Sequence, residues 1–573
     1  MNYIADLHIH SPFSRATSPD SSPAGLAAWA RLKGIQVIGT GDCTHPAWFT
    51  LLKEQLEPAE PGFFRLKDEK AIPDILPGVL QAGTPVRFLL SAEISSIYKR
   101  GGATRKVHNL LYLPDFASVE RLNARLSGIG NIVSDGRPIL GLDSRNLLEI
   151  LLECSSDAFM VPAHIWTPWF SLFGSKSGFD SIEECFGDLS SHIFALETGL
   201  SSDPDMNRLI SALDHCALIS NSDCHSPSKL GREANLFNTG FDFFSLRDAL
   251  QQNKRDTFCG TVEFFPEEGK YHFDGHRDCK VCLDPHETRR LNNLCPVCGK
   301  PVTVGVHHRV LELADREKPE YRDDVPGFFS LIPLPEILGE LLQVGPSSKQ
   351  VIHQYGRVLS QFGSEFNLLL HADLEQISAH EPLLAEAVKR MRAGTVIRQP
   401  GYDGEFGVIR LFEEGELTQL AGQGGLFGEQ RAPRSRKKTV SEPLPKQHEP
   451  CPPKQESGAL KPTGPNPEQQ TAIQADGRRV LVAAGPGTGK TFTLVSRLQR
   501  LLEQGADPSR VVAITFTTRT AEEMQARLLK TCGEAANSLF IGTFHKFCLE
   551  QLRQDNPGLT VVGPESRQRL LKR

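Results

Sequence analysis

Imidazole and carboxylate side chains recur along the first part of this 573-residue chain. His8 and His10 lie two residues apart, so on a strand both would point to one face. Imidazole and carboxylate ligands suit Zn, Mn, Fe or Mg. The candidates in this sequence are more numerous than one ion needs. The pattern predicts two or three divalent metals that could activate water and clamp the oxygens of a phosphate ester. The candidates on or after later apolar runs are Asp42, His45, Glu93, His108, His164, Glu197, Asp223 and His225.

Short apolar runs predict the strands that position these ligands. Between most of the runs lie stretches that are typical of helices, which indicates a mainly parallel sheet, open or closed as a barrel of seven strands. The ligands fall near the carboxyl ends of the strands, where barrel active sites form. The gap from Ser95 to Lys106 is too short for a crossover helix, so we expect one antiparallel pair. The runs are 3–9, 35–38, 86–90, 107–113, 159–161, 193–196 and 217–219.

Four of the thirteen cysteines form two CxxC pairs, Cys279 with Cys282 and Cys295 with Cys298. Two such pairs can present four thiolates to one tetrahedral ion. The spacing predicts one structural zinc that is distinct from the barrel metals. A closed site of this kind supports folding or DNA contact rather than catalysis.

A phosphate-binding loop begins after the apolar run 480–482 and precedes a helical pattern, which is the context that the Walker A motif requires. Its backbone amides would cradle phosphates, Lys490 would reach the β- and γ-phosphates, and Thr491 would bind Mg²⁺. We therefore expect ATP with Mg as a ligand. The predicted loop residues are Gly485, Gly487, Thr488, Gly489, Lys490 and Thr491.

Two sets of motifs in the first 415 residues resemble a known superfamily. The segments DLHIH, TGDCTHP, SAEIS, VHNLLYLP, PAHIWTPWF and SNSDCHSP are similar to motifs of the PHP (polymerase and histidinol phosphatase) superfamily. Longer stretches, such as PAHIWTPWFSLFGSKSGFDSIEECFGD, resemble its endonuclease Q subgroup. The resemblance implies a distorted seven-stranded barrel with a trinuclear metal centre. It also implies cleavage of DNA on the 5′ side of deaminated bases and abasic sites.

The same resemblance implies how the ligands are shared among three ions. One ion is held by His8, His10, Glu93 and Asp223, and a second by Glu93, His108 and His164. The third would be held by Asp42 or His45 together with His225. Ser14 and Arg15 stand where several PHP members have a further histidine, so the third site departs from the family pattern.

Residues 464–573 resemble the opening of UvrD/Rep-type superfamily 1 helicases. PNPEQQTAI is similar to their glutamine motif, with Gln469 reading adenine, and ITFTTRTAEEM and GTFHKF are similar to the next two motifs. An acidic metal-binding motif and an arginine finger are not found after Phe547. We therefore expect an incomplete helicase domain with weak ATP binding and no turnover.

Basic and aromatic residues flank the predicted ligands and are candidates for DNA contact. The cations would hold phosphates, and the two tryptophans would form a stacking wall for an extruded base. The alternatives are solvated loops and core packing beneath the barrel rim. The candidates are Lys99, Arg100, Arg105, Lys106, Trp166, Trp169, Lys229 and Arg232.

Composition indicates a globular chain, and the order of its motifs divides it into five segments. The net charge is −6, and the sequence has neither a run of 18 uncharged apolar residues nor an amino-terminal apolar segment typical of export. We expect a cytoplasmic protein without a membrane partner; the oligomeric state is left open. The predicted segments are a metal-dependent barrel (1–262), a zinc-binding module (263–304), a mostly helical region (305–420), a disordered linker (421–463) and a partial helicase ATP-binding domain (464–573).

The sequence favours a DNA repair endonuclease fused to the start of a helicase. Two alternatives stay open from the residues alone: a PHP-type phosphatase of small phosphate monoesters, and a scaffold that binds DNA without cutting it. The zinc module and the basic loops count against the phosphatase, and the near-complete ligand set counts against the scaffold.

Overall fold

The computed structural model describes residues 1–77, 79, 85–423, 467–475, 480, 482, 490–515 and 518–555. They fall in two compact units, Met1–Ala432 and Pro433–Arg573. Of the predicted linker 421–463, only residues 421–423 are described, and they end a helix. None of the helices in these described parts combines the length and apolar character that crossing a membrane requires.

The first unit is mixed α/β, as predicted. Its strands are β1 (Asn2–Asp6), β2 (Val37–Gly39), β3 (Leu56–Pro58), β4 (Phe64–Leu66), β5 (Arg87–Arg100), β6 (Ala103–Leu113), β7 (Ile139–Leu140), β8 (Phe159–Pro162), β9 (Ala195–Glu197), β10 (Ala217–Ile219), β11 (Ala234–Asn238), β12 (Phe258–Glu263), β13 (Asp274–His276), β14 (Val281–Leu283), β15 (Gly327–Ser330), β16 (Ile397–Gln399) and β17 (Val408–Arg410).

The helices of this unit begin where the sequence places capping residues. The side chains of Ser22, Asp115 and Asp143 each accept a hydrogen bond from a backbone N–H in the first turn of the helix that follows. The helices are α1 (Pro23–Lys33), α2 (Pro46–Gln55), α3 (Phe116–Ser127), α4 (Ser144–Cys154), α5 (Ile182–Phe186), α6 (Pro204–Asn207), α7 (Phe243–Gln252), α8 (Pro285–Arg290), α9 (Val306–Leu313), α10 (Leu334–Leu342), α11 (Lys349–Phe362), α12 (Leu374–His380), α13 (Pro382–Arg392) and α14 (Glu416–Gln423).

Seven of the strands follow one another around a common core. β1, β2 and β5 pair in parallel, β5 pairs antiparallel with β6, and β6 with β8. β9 and β10 form a separate parallel pair. Single hydrogen bonds join that pair to the rest, from Ile165 N to Glu197 O (3.1 Å) and from His10 N to Cys224 O (3.0 Å). The predicted antiparallel pair is confirmed as β5 with β6.

One apolar cluster contains residues from all seven of these strands. Strand residues point alternately to two faces, and here one face of every strand is turned to the same interior. The opposite face packs against the helices in a second, larger cluster. The residues that the seven strands contribute are Tyr3, Ala5, Val37, Leu89, Leu110, Tyr112, Phe159, Val161, Ala195, Ala217 and Ile219, and Phe237 of β11 and Phe258 of β12 belong to the same cluster.

The second unit has the alternation of strands and helices that the sequence predicted. Its elements are α15 (Pro467–Gln474), α16 (Lys490–Glu503), β18 (Val512–Thr515), α17 (Thr518–Cys532), β19 (Phe540–Thr543) and α18 (Phe544–Asp555). β18 and β19 pair in parallel, and α17 connects them. Val495, Leu498, Met524 and Leu528 form a core against these strands.

Candidate metal centre

The ligands predicted from the strand pattern lie at or near one rim of the seven strands. His8 and His10 follow β1, His164 follows β8, and Asp223 follows β10. Glu93 lies inside the long strand β5, and His108 lies inside β6. Antiparallel pairing therefore delivers two ligands from the middle of strands rather than from their ends.

Glu93 joins two groups of candidate ligands. His8, His10, Glu93 and Asp223 form one group, and Glu93, His108 and His164 form the other, with ligand atoms within 4.8 Å of one another in each. Glu93 Oε2 lies 3.5 Å from His8 Nε2 and 3.2 Å from His10 Nε2. Glu93 Oε1 lies 2.6 Å from His108 Nδ1 and 3.2 Å from His164 Nε2. Each carboxylate oxygen thus faces a different group, as in a bridging ligand.

The ligand atoms of the first group are placed to bind a metal ion rather than to hydrogen-bond to one another. His10 Nε2 lies 3.0 Å from Asp223 Oδ1, yet this contact lacks the geometry of a hydrogen bond. His8 Nε2, His10 Nε2 and Asp223 Oδ1 are all buried without a hydrogen-bond partner. Buried polar atoms are costly when unsatisfied, so convergent orphan atoms of this kind indicate a site for a cation.

Hydrogen bonds outside these groups orient the imidazoles. The buried carboxylate of Glu197 accepts from His8 Nδ1 (3.0 Å) and from the backbone N–H of His164 (2.8 Å). Asp42 Oδ1 lies 3.1 Å from His10 Nδ1. These partners place the proton of each ring on Nδ1 and leave Nε2 as the ligand atom. Glu197 is among the sequence candidates, and the structure places it beside the ligand groups as a hydrogen-bond partner rather than within them.

The electrostatics of the centre follow from burying acids and imidazoles together. Burial lowers the pKa of His8, but Glu197, Asp223 and Glu93 outweigh burial and raise this pKa well above its ordinary value. Burial would raise the pKa of Glu93, but His108, Arg137 and His8 hold it well below its ordinary value. Burial lowers the pKa of His108 to about 4, so this ring is in the neutral form that binds metals.

Three site residues have backbone conformations that are unusual for residues with a side chain. The φ angles are 48° for Asp42, 30° for His164 and 46° for Asp223. Non-glycine residues rarely adopt this left-handed region, and such strain clusters at functional sites. The surrounding fold therefore holds these residues in place at some cost in backbone energy.

The residues predicted for a third ion are not brought together in the same way. Asp42 Oδ2 accepts hydrogen bonds from Ser11 N, Ser11 Oγ and Ser14 Oγ at 2.6–2.8 Å. His45 caps α2 through Nδ1, and its Nε2 lies 2.9 Å from Val133 O. His225 Nδ1 contacts the carbonyl of Asp223. Neither of the two ligand groups at this rim contains Asp42, His45 or His225. Their contacts favour an orienting role for Asp42 and a capping role for His45.

A cavity of about 900 Å³ adjoins the two ligand groups and is called the rim cavity below. His108, His164 and Asp223 are among the residues that line it. Arg137 projects into it, with Nη1 3.0 Å from Glu93 Oε2. Sequence reasoning missed Arg137 because it lies in a loop without a motif. The lining also includes the aromatic residues Trp169, Phe170, Tyr271 and Phe406.

In the predicted zinc-binding module, three of the four predicted cysteines group with a histidine. Cys279, Cys295 and Cys298 lie with His276 in one group whose ligand atoms are within 4.8 Å. His276 Nδ1 lies 3.7 Å from Cys298 Sγ. Cys282 is exposed on β14, opposite Gly275, and lies outside this group. His276 and Cys279 are themselves three positions apart, so the chain offers a His-x2-Cys pair beside the predicted CxxC pair.

We expect His276→Ala to lower the zinc content of the protein more than Cys282→Ser does. Removing a ligand from a closed tetrahedral site leaves too few donors to hold the ion, and the module should loosen with it. The measurement is zinc per chain after gel filtration, with Cys295→Ser as the positive control. Zinc loss in Cys282→Ser with retention in His276→Ala would restore the four-cysteine site.

Two comparisons with solved structures decide the family of the first unit. The lesion-specific endonuclease PfuEndoQ from Pyrococcus furiosus is 34% identical, with a TM-score of 0.63, over 72% of this chain and 96% of that chain. An endonuclease Q in complex with a 27-mer duplex carrying an abasic lesion at its active site is also 34% identical, with a TM-score of 0.62, over 73% and 98%. The chain belongs to the endonuclease Q family. This places its first unit among the PHP-type metal-dependent nucleases.

Further comparisons divide the rest of the chain. The MJ0043 C-terminal domain family matches residues 333–395 of this chain, and the UvrD/REP helicase N-terminal domain family matches residues 465–569. Protein MJ0043 of Methanocaldococcus jannaschii is 33% identical over 43% of this chain and 31% of its own length. The ATP-dependent DNA helicase PcrA of Staphylococcus aureus is 35% identical over 19% and 16%. The chain thus spans less than two thirds of either curated relative, and the helicase resemblance of its second unit is confirmed.

One of the aromatic residues predicted to contact DNA is part of the core of the endonuclease Q unit. Trp166 is fully buried, donates from Nε1 to Asn207 Oδ1 (2.8 Å) and packs on Phe173. Its predicted role as a stacking wall is therefore wrong, because no base can reach it. Trp169 is 39% exposed and lines the rim cavity, where its ring contacts Tyr271 edge-on at 5.7 Å.

Most of the predicted DNA-binding cations already have partners within the protein. Arg105 donates to Gly178 O and lies over the ring of Phe179, and Arg100 donates to Cys185 O. Lys229 and Arg232 both pair with Glu336, at 3.4 and 3.2 Å, and Arg232 also pairs with Glu268. Lys106 lies over the ring of Phe170, and Lys99 is exposed near the hairpin tip. These contacts hold the β5–β6 hairpin and the segment from Lys229 to Arg232 against the rest of the protein.

The predicted nucleotide site falls mostly outside the described residues. Gly485, Gly487, Thr488 and Gly489 lie there, and Lys490 and Thr491 are described only as the first backbone positions of α16. Gln469 lies in α15. ATP binding therefore stays a prediction that the order of elements supports.

Proposed function

We propose that this protein is a metal-dependent endonuclease that hydrolyses DNA on the 5′ side of deaminated bases or abasic sites. The observation that carries the proposal is Glu93, whose two carboxylate oxygens face separate ligand groups, and members of both groups line the rim cavity. The related endonuclease Q bound to a duplex with an abasic lesion at its active site supports the substrate class.

The ligand groups define which residues would hold the metals. His8, His10, Glu93 and Asp223 would bind one ion, and Glu93, His108 and His164 a second; a third near His225 is also proposed. Divalent metals in such a site supply an activated water and charge stabilisation for phosphodiester hydrolysis. We further propose that the seven strands form the distorted barrel of the superfamily, supported by their shared interior and by the bonds that link β8 to β9 and β10 to β1.

The protein's own residues prepare this centre. Glu197 fixes the orientation of His8 and the backbone of His164, which keeps both ligand groups in register. Arg137 lies beside Glu93 and inside the rim cavity, where a guanidinium can hold a phosphate oxygen with two N–H groups. We assign Arg137 to substrate phosphate binding.

The test is strand cleavage by the purified 573-residue chain with Mn²⁺ or Mg²⁺. Duplexes that carry uracil, hypoxanthine or an abasic site should be cut once, 5′ of the lesion, and an undamaged duplex should not be cut. A phosphate monoester offered separately should be a poor substrate. Hydrolysis of the monoester alone would favour the phosphatase alternative, and binding without cleavage of any duplex would favour the scaffold.

The second unit is proposed to bind ATP with Mg as part of a DNA helicase domain. The match to the UvrD/REP helicase N-terminal domain and the parallel strands β18 and β19 support this role. Single-stranded DNA is the partner that the family implies for this unit.

A further inference from the structure

A glycine-rich loop closes one side of the rim cavity and has no role in the function proposed so far. It connects β16 to β17 and spans residues 400–407. Tyr402 and Glu405 exchange two backbone hydrogen bonds, of 3.0 and 2.8 Å, across Asp403 and Gly404. Both turn residues have positive φ, 43° and 89°, which is the geometry of a tight type I′ hairpin turn.

This loop is held rigidly against the segment that leads into the zinc module. The backbone N–H of Arg277 donates to the Asp403 carboxylate (2.7 Å). A Cβ on Gly407 would lie 2.1 Å from Glu267 O, so only glycine fits there. The backbone bonds that tie the two segments together are Gly401 N to Glu267 O, Gly407 N to Glu268 O, Gly404 N to Lys270 O, and Phe273 N to Gly401 O.

On this rigid loop the ring of Phe406 points outward. The residue is 67% exposed and lines the rim cavity, as the ligand candidates His108 and Asp223 also do. Lys270 Nζ lies 4.5 Å from the centre of its ring. An exposed phenylalanine gives up the free energy that burying its ring would gain, and the backbone hydrogen bonds of this loop hold it in that position. An exposed apolar surface fixed beside a site is suited to contact what enters.

We propose that Phe406 is a wedge that enters the base stack of duplex DNA beside the nucleotide that the metal centre acts on. Lys270 lies next to it and would contact the adjoining phosphate. The inference rests on the proposed nuclease function and adds to it the residue that separates the target nucleotide from its neighbours. Apolar wedges of this kind partly unstack a base step, and extruding a paired base costs a few kcal/mol.

The position of Phe406 favours a wedge over a wall of the nucleotide pocket. Trp169 and Tyr271 both line the cavity, contact each other edge-on and are less exposed than Phe406. They are placed to flank a nucleotide inside the cavity, whose volume of about 900 Å³ is ample for one. Phe406 is the most exposed of these three rings, as a residue that meets the stacked duplex must be.

The test compares Phe406→Ala with Phe406→Leu on one lesion in two settings. A uracil in a fully paired duplex must be extruded, whereas the same uracil in an unpaired bubble is already free. We expect Phe406→Ala to slow single-turnover cleavage of the paired substrate about tenfold or more, since each 1.4 kcal/mol is tenfold, and to change bubble cleavage by less than about twofold. Phe406→Leu should keep most of the rate. Phe329→Ala is the matched control, because Phe329 is 53% exposed on β15 and lies outside the cavity.

A second readout does not depend on cleavage. In the Glu93→Gln background, 2-aminopurine placed next to the uracil should brighten on binding, and adding Phe406→Ala should remove most of that increase. Equal slowing of paired and bubble substrates would make Phe406 a pocket wall, and an unchanged rate together with unchanged fluorescence would exclude the wedge. Failure of the unsubstituted protein to cut either substrate would instead count against the nuclease function, while the fluorescence still tests the wedge.

Discussion

Glu93→Gln and Asp223→Asn are each expected to abolish strand cleavage while the fold stays intact. Glutamine keeps the shape of Glu93 but replaces one of its two ligand oxygens with an amide NH₂ group, which cannot bind a metal. Asp223→Asn removes a negative charge 3.0 Å from His10 Nε2 and 3.5 Å from His8 Nε2. Metal chemistry contributes several kcal/mol to such reactions, so the rate should fall by about 10³-fold or more.

The measurement combines single-turnover cleavage in a metal-defined buffer with metal content and circular dichroism of each variant. Glu153→Gln is a suitable control, because this carboxylate forms only an exposed ion pair with Arg125. Cleavage at the unsubstituted rate by either variant would show that the ligand groups are not the catalytic centre. Loss of the dichroism signal would mean that the variant fails to fold, and the milder Asp223→Glu would then replace it.

The recurrence of ligands along the sequence predicted most of the metal centre. His8 and His10 share a face because strands alternate, and the later candidates converge because the seven strands share one rim. The short gap between Ser95 and Lys106 also predicted the antiparallel hairpin. These features depend on local spacing, which a sequence displays directly.

The remaining features depend on contacts between distant segments. Asp42 follows a strand as the grouped candidates do, but it lies outside the two ligand groups, and its Oδ2 accepts hydrogen bonds from the hydroxyls of Ser11 and Ser14. Trp166 follows His164 closely, yet its backbone turns it into the core against Asn207. Arg137 and Phe406 lie in loops whose sequence carries no motif for the site, and only the fold brings them to the rim cavity.

A buried ion pair between two such distant segments leads to the second large effect. Lys33, at the end of α1, lies 2.7 Å from Glu365 Oε2, and the two side chains are only 4% and 5% exposed. Tyr355 Oη donates to the same oxygen (2.6 Å), and the backbone N–H of Leu334 donates to Oε1 (2.9 Å). The group joins the strand-and-helix frame to the region matched by the MJ0043 C-terminal domain family.

We expect Lys33→Met to destabilise the first unit by about 3–5 kcal/mol, because it leaves the Glu365 carboxylate buried without its cation. Calorimetry should show the transition of this unit at a lower temperature. Lys53→Met is the matched control, since Lys53 pairs with Glu120 at the surface, where such pairs contribute about 0–1 kcal/mol. The double variant Lys33→Met, Glu365→Gln should regain most of the loss, because a neutral amide keeps an oxygen for the Leu334 N–H and removes the unpaired charge. A Lys33→Met protein as stable as the Lys53→Met control would show that the charge is dispensable and that packing alone joins the two regions.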